Sequence, residues 1–150
     1  MTEQKSIFLT LSGRTNAGKS TLLNALIGEK IASVSSKPQT TRTRITGILT
    51  KNAIQYVFID TPGLHKPKNK LSNHMLKTAE DSASDADAVL YIIDSTKQLH
   101  EQDETMLRSL AQKKISCMII LNKIDLIQDK SKIMPLMLKL ENNYHPHCSL

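Results

Sequence analysis

Short apolar runs alternate with stretches of helical periodicity along this chain, which predicts an α/β fold: a mostly parallel sheet with helices on both faces. The polar motifs with a recognisable chemistry agree with this. Each falls just after an apolar run, and open α/β sheets bind ligands beyond the C-terminal ends of their strands. Size agrees as well, because 150 residues suffice for one domain with one core.

The elements follow in order. Residues 7–11 read as a buried strand. After a loop, residues 19–27 place Leu22, Leu23, Leu26 and Ile27 at helical spacing, with Gly28 as the stop. Residues 45–50 and 54–59 are two strands joined so closely, by Lys51, Asn52 and Ala53, that they should form a hairpin. Leu71, Met75, Leu76, Ala79 and Ala83 mark a second helix, and residues 88–93 a strand. Met106, Leu107, Leu110 and Ala111 mark a third helix, residues 115–121 another strand, and Ile133, Leu136, Met137 and Leu140 a last helix. Pro135 fits there only within the first turn. Met106, Met134 and Met137 fall at helical spacing and are expected in the core. Segments 32–44 and 63–70 are polar, basic and aperiodic, and are expected to be the least ordered.

Composition excludes several classes. Hydrophobic residues make up 39% and charged residues 23%, ordinary for a soluble domain. The net charge of +6 suits a nucleotide or RNA partner without requiring one. Cys117 lies in an apolar run and reads as a small core residue; neither it nor Cys148 has a CxxC partner, so a reducing compartment is expected. The apolar patch at 7–11 is too short for a secretory signal, and no run approaches the roughly 20 residues of a membrane span. A cytoplasmic location follows as an expectation. His145, His147 and Cys148 sit at a chain end without a suitably spaced fourth ligand and are not read as a metal site. The basic run His65, Lys66, Lys68 and Lys70 is read as solvated surface.

Three motifs and one loop carry the chemistry. Gly13-Arg14-Thr15-Asn16-Ala17-Gly18-Lys19-Ser20 fits GxxxxGK[ST], between a predicted strand and a predicted helix. The glycines let the backbone turn tightly beside phosphates, and successive N–H groups with the positive helix end make an anion cradle. Lys19 can reach the β and γ phosphates, and Ser20, followed by Thr21, can place a hydroxyl on Mg²⁺. Asn122-Lys123-Ile124-Asp125 follows a predicted strand. A carboxylate at Asp125 can accept hydrogen bonds from guanine N1–H and the exocyclic amine, a donor pair that adenine lacks. Asn122 can touch the base edge and brace the phosphate loop, while the Lys123 stem can cover the ring. Asp60-Thr61-Pro62-Gly63 fits DxxG, with Asp60 holding Mg²⁺ through a water and the Gly63 N–H meeting the γ-phosphate. In Pro38-Gln39-Thr40-Thr41-Arg42 a threonine hydroxyl should complete the Mg²⁺ shell, and Thr41 is favoured over Thr40. Lys19, Thr41 and Gly63 are the catalytic candidates. Ser20, Thr41 and Asp60 are the metal candidates.

GRTNAGKS, PQTTR, DTPGLH and NKID, in this order and spacing, resemble the translation-factor-related GTPases, and PQTTR with DTPGLH is most similar to the Era-like family. Der and MnmE GTPases are near relatives. The resemblance covers essentially the whole chain. It implies a GTPase cycling between GTP and GDP with Mg²⁺, acting in small ribosomal subunit assembly, with some members associated peripherally with the inner membrane. The family's RNA-binding KH domain is not in this sequence, nor is the short Ser-Ala nucleotide box, so the expectation is a G domain over 1–150 lacking its last strand and helix. Leu64 stands where other GTPases carry a catalytic glutamine. Catalysis would then rest on electrostatics from Mg²⁺, Lys19 and the loop amides. Asn16 matches the asparagine with which relatives hold potassium, although a plain loop asparagine suits the sequence equally. Two rival readings are a nucleotide-binding module with little turnover and an ATP-using P-loop enzyme, and NKID argues against the second.

Overall fold

The strands form where apolar, largely β-branched residues run together, and the helices where such residues recur every three or four positions. The computed structural model describes residues 5–28, 44–60, 86–144 and 148–149, with backbone alone at 44–46, 60 and 148–149. In chain order the elements are β1 (Lys5–Gly13), α1 (Lys19–Ile27), β2 (Arg44–Lys51), β3 (Ile54–Asp60), β4 (Ala88–Asp94), α2 (Glu101–Gln112), β5 (Cys117–Asn122), α3 (Ile133–Tyr144) and β6 (Cys148–Ser149). Single 3₁₀ turns at Ile124–Leu126 and Lys130–Lys132 lie between β5 and α3. The helix expected over 71–83 and segments 32–43 and 63–70 lie outside the described residues.

The sheet order is β2-β3-β1-β4-β5-β6. β2 runs antiparallel to β3, and every other pairing is parallel. The β2–β3 hairpin turns on Asn52 and Ala53, both with positive φ. Such a turn matches the right-handed twist of its strands. β1, β3, β4 and β5 therefore end along one edge, at Gly13, Asp60, Asp94 and Asn122.

Two cores form on the two faces. Under α2 and α3, Val89, Tyr91, Ile93, Cys117 and Ile119 of the sheet meet Met106, Leu107, Leu110, Leu140 and Tyr144. Opposite them, Leu11, Phe58 and Ile92 pack with Leu22, Leu23 and Ile27 of α1. α2 opens with a capping box: His100 Nδ1 accepts from the Gln102 N–H at 3.1 Å, and the His100 N–H donates to Asp103 Oδ2 at 3.2 Å. The other Asp103 oxygen accepts from the buried Tyr91 hydroxyl at 2.8 Å. Burial, and then the neighbouring Asp103 carboxylate, push the Tyr91 hydroxyl pKa far above its usual range.

Some details differ from the sequence expectation. β5 starts at Cys117 rather than at 115, because the Ile115 N–H still caps α2 through Leu110 O and Lys114 turns with φ 56°. Met134 lies on the outer side of α3 at 57% exposure, whereas Met106 is buried as expected. Pro135 is the third residue of α3, where its missing N–H breaks no helical bond. At the sheet edge β6 has two residues, Cys148 and Ser149, in register with Cys117 and Met118.

Candidate functional site

The loop between β1 and α1 is built on two close approaches. Gly13 has φ 146°, and a Cβ there would run into the Ile92 carbonyl oxygen of β4. Gly18 has φ 97°, and a Cβ there would collide with the Asn122 side-chain amide. Only glycine relieves both the backbone and the steric demand. Between them, Asn16 adopts φ 64°, the Ala17 N–H donates to Arg14 O at 3.2 Å, and Ala17 is buried. The loop thus turns sharply and leads into α1, whose positive end faces the loop.

Lys19, the first residue of α1, folds back over that loop. Its Nζ donates to Gly13 O at 2.8 Å and to Arg14 O at 2.7 Å. Both acceptors are backbone carbonyls of the loop itself, so the ammonium is held against the loop. Thr15, Asn16, Ser20 and Thr21 are exposed and Arg14 is half-buried. A lysine ammonium and several hydroxyls therefore lie together on the loop and the first turn of α1.

The 122–125 segment meets the loop from the side. Asn122 ends β5, and its Nδ2 donates to Ala17 O at 2.9 Å. Lys123 adopts φ 61°, and its Nζ donates to Asn16 O at 2.6 Å. Two consecutive residues of one motif thus hold two consecutive carbonyls of the other. Asp125 lies in the 3₁₀ turn that follows, with its side chain exposed.

The backbone of Asp60 ends β3, beside β1. Thr41, Thr61, Pro62, Gly63 and Leu64 lie outside the described residues. Among the described residues, no three His, Cys, Asp or Glu side chains cluster as metal ligands, and no helix is long and apolar enough to cross a membrane.

Sequence reasoning missed Asp94, the last residue of β4. Its Oδ2 accepts from Lys123 Nζ at 2.9 Å, and its Oδ1 accepts from the Thr96 N–H at 3.0 Å and the Thr96 hydroxyl at 2.5 Å. Partial desolvation pushes its pKa up, but the bonds from Thr96 and Lys123 and the Lys123 charge outweigh it and bring the value to about 2. The signal was available: an acidic residue ends the strand beside the loop strand, at the edge where such sheets bind ligands.

A glycine-bounded anion loop carrying a lysine, at the C-terminal edge of a parallel sheet and braced by an NKxD segment, defines a P-loop GTPase of the G-domain class. The family model described as 50S ribosome-binding GTPase matches residues 8–123, and the chain belongs to that family. Among solved structures it is similar to Era in complex with GDPNP, magnesium and nucleotides 1506–1542 of 16S ribosomal RNA, at 33% identity and TM-score 0.73 over 97% of this chain and 49% of that one. It is similar to an Aquifex aeolicus Era variant bound to GDP and AlF4⁻, at 33% identity and TM-score 0.71 over 97% of this chain and 50% of that one. The G domain of the T. maritima FeoB iron transporter matches at 25% identity and TM-score 0.65, over 96% of this chain and 84% of that one. The chain thus spans about half the length of the Era proteins it matches.

Proposed function

We propose that this chain binds GTP and GDP and hydrolyses GTP, as the nucleotide-switching part of an Era-like protein that acts in small ribosomal subunit assembly in the cytoplasm. The observation that carries the reading is the double brace from Asn122 and Lys123 to Ala17 O and Asn16 O, which joins a guanine-reading segment to a phosphate-binding loop. The phosphates would sit on the amides of residues 13–18 with Lys19 neutralising their charge, and Asp125 would select guanine.

Magnesium fits the residue types available. Ser20 is exposed at the start of α1, and the Asp60 backbone ends the strand beside the loop strand; a hydroxyl and a carboxylate are residue types that suit a hard cation. Ser20, Asp60 and Thr41 would hold the ion, which supplies positive charge to the phosphate oxygens. Thr41, Thr61, Pro62 and Gly63 would respond to the γ-phosphate, with Leu64 leaving catalysis to electrostatics. Asn16 is the residue to examine for potassium dependence. The RNA partner rests on the Era complex with 16S ribosomal RNA, which is a property of that protein.

Competition of unlabelled GTP, GDP and ATP against a fluorescent GDP analogue, with Mg²⁺ and potassium present, tests the reading. Guanine-selective displacement, lost in Asp125→Ala, is expected. GTP turnover should disappear in Lys19→Ala. Equal displacement by ATP, or undiminished turnover without Lys19, would overturn it.

A further inference from the structure

We propose that Asp94 is a positioning residue that locks the base-reading segment and the phosphate loop into one unit, by holding the Lys123 ammonium against the Asn16 carbonyl. The guanine part of this statement rests on the function proposed above; the coupling of the two segments does not.

The Asp94 carboxylate divides its oxygens. Oδ1 is taken by the backbone and hydroxyl of Thr96, which fixes the carboxylate plane, and Oδ2 is presented to Lys123. The group is well enclosed, its side chain being 11% exposed against 30% for Lys123. The backbone also aligns it, because Asp94 is the register partner of Asn122 and the Ser95 N–H donates to Asn122 O at 3.1 Å. The ends of β4 and β5 therefore bring the carboxylate and the lysine together.

Lys123 and Asn16 are both non-glycine residues at positive φ, an uncommon backbone conformation. One ammonium joins them, with Asn16 O on one side and Asp94 Oδ2 on the other. In a trans peptide the carbonyl and the following N–H point in opposite directions. Holding Asn16 O and Ala17 O toward β5 therefore turns the Ala17 and Gly18 N–H groups into the loop.

The test compares Asp94→Asn, Lys123→Met and the double variant. Affinity for a fluorescent GDP analogue is measured alongside the ¹⁵N–¹H shifts of residues 16–18 in the ligand-free chain. Asp94→Asn keeps the side-chain shape and removes the charge. It is expected to weaken GDP binding about tenfold in the wild-type background, as for a charge-assisted bond, and to add little once Lys123 is gone. The amide shifts should move alike in both single variants. An equal loss in both backgrounds, or unmoved loop amides, would overturn the proposal. If the wild-type chain binds no guanine nucleotide, the functional reading falls, and the amide shifts alone decide whether Asp94 positions the loop.

Discussion

On the face covered by α2 and α3, Leu107, Leu110 and Val89 are wholly enclosed and Leu140 is 1% exposed, whereas α1 on the opposite face contains no fully buried residue. The same sheet is therefore held in two ways. α2 and α3 are fixed chiefly by hydrophobic burial, which is non-directional and tolerates small shifts, with the Tyr91–Asp103 bond and the Lys139–Glu104 ion pair added to it. α1 leans on half-buried Leu22, Leu23 and Ile27, and its N-terminal end is fixed by directional bonds from Lys19, Asn122 and Lys123 to loop carbonyls. The helix that would face the nucleotide thus takes its position from groups that would also serve it. Binding should stiffen that face more than the other.

The largest effect that separates the faces is a cavity. Leu107→Ala should destabilise the chain by about 3–5 kcal/mol, because a fully enclosed leucine leaves a void its neighbours cannot close. Leu23→Ala, on a half-buried side chain, should cost about 1–2 kcal/mol. Urea melts of both variants check the pair. Equal losses would mean that α1 is as tightly packed as α2, and the comparison would fail.

A substitution in the loop should invert that ranking. Gly18→Ala forces a Cβ into the Asn122 amide at a backbone angle that suits glycine. Such strain costs of order 1–3 kcal/mol where it is local, so the melt should shift less than for Leu107→Ala. GDP affinity, however, should fall roughly a hundredfold, as the brace to Ala17 O and the amide cradle are displaced together. A variant with lower stability and intact affinity would show that the brace and the cradle are independent.

The fold was largely legible because β1, β3, β4 and β5 contain dense apolar runs and α2 and α3 carry regular periodicity. Legibility failed where a long-range neighbour decides the outcome. Met134 has core spacing but lies on the outer side of α3, and periodicity gives a helix's stripe without saying how wide a strip its neighbours cover. The phosphate loop and NKID were readable as motifs, since their chemistry needs fixed residue types at fixed spacing. The reasons for their glycines were only half readable. Gly13 is also required by the β4 backbone at Ile92 and Gly18 by Asn122, contacts that span most of the chain. Asp94 belongs to no local motif and acquires meaning only because β4 lies between β1 and β5.

The smallest effect concerns acid, and it follows from the same contrast, since the loop before α1 is held in part by a charged brace. The Asp94 carboxyl titrates at about 2 in the folded chain and at about 4 when unfolded. As pH falls from about 4 to about 2 the unfolded chain takes up this proton first, so the unfolded state binds more protons and stability decreases. Above about pH 5 neither state is protonated at this group, and its contribution is constant. That contribution should be about 1 kcal/mol, because Lys123 is partly solvated. Urea midpoints of the nucleotide-free chain and of Asp94→Asn should therefore differ by the same amount at pH 7 and pH 5 and converge towards pH 2–3. A gap that already closes between pH 7 and pH 5 would mean that the carboxylate is not held by Lys123 and Thr96, and the directional brace on the loop face would lose its charged member.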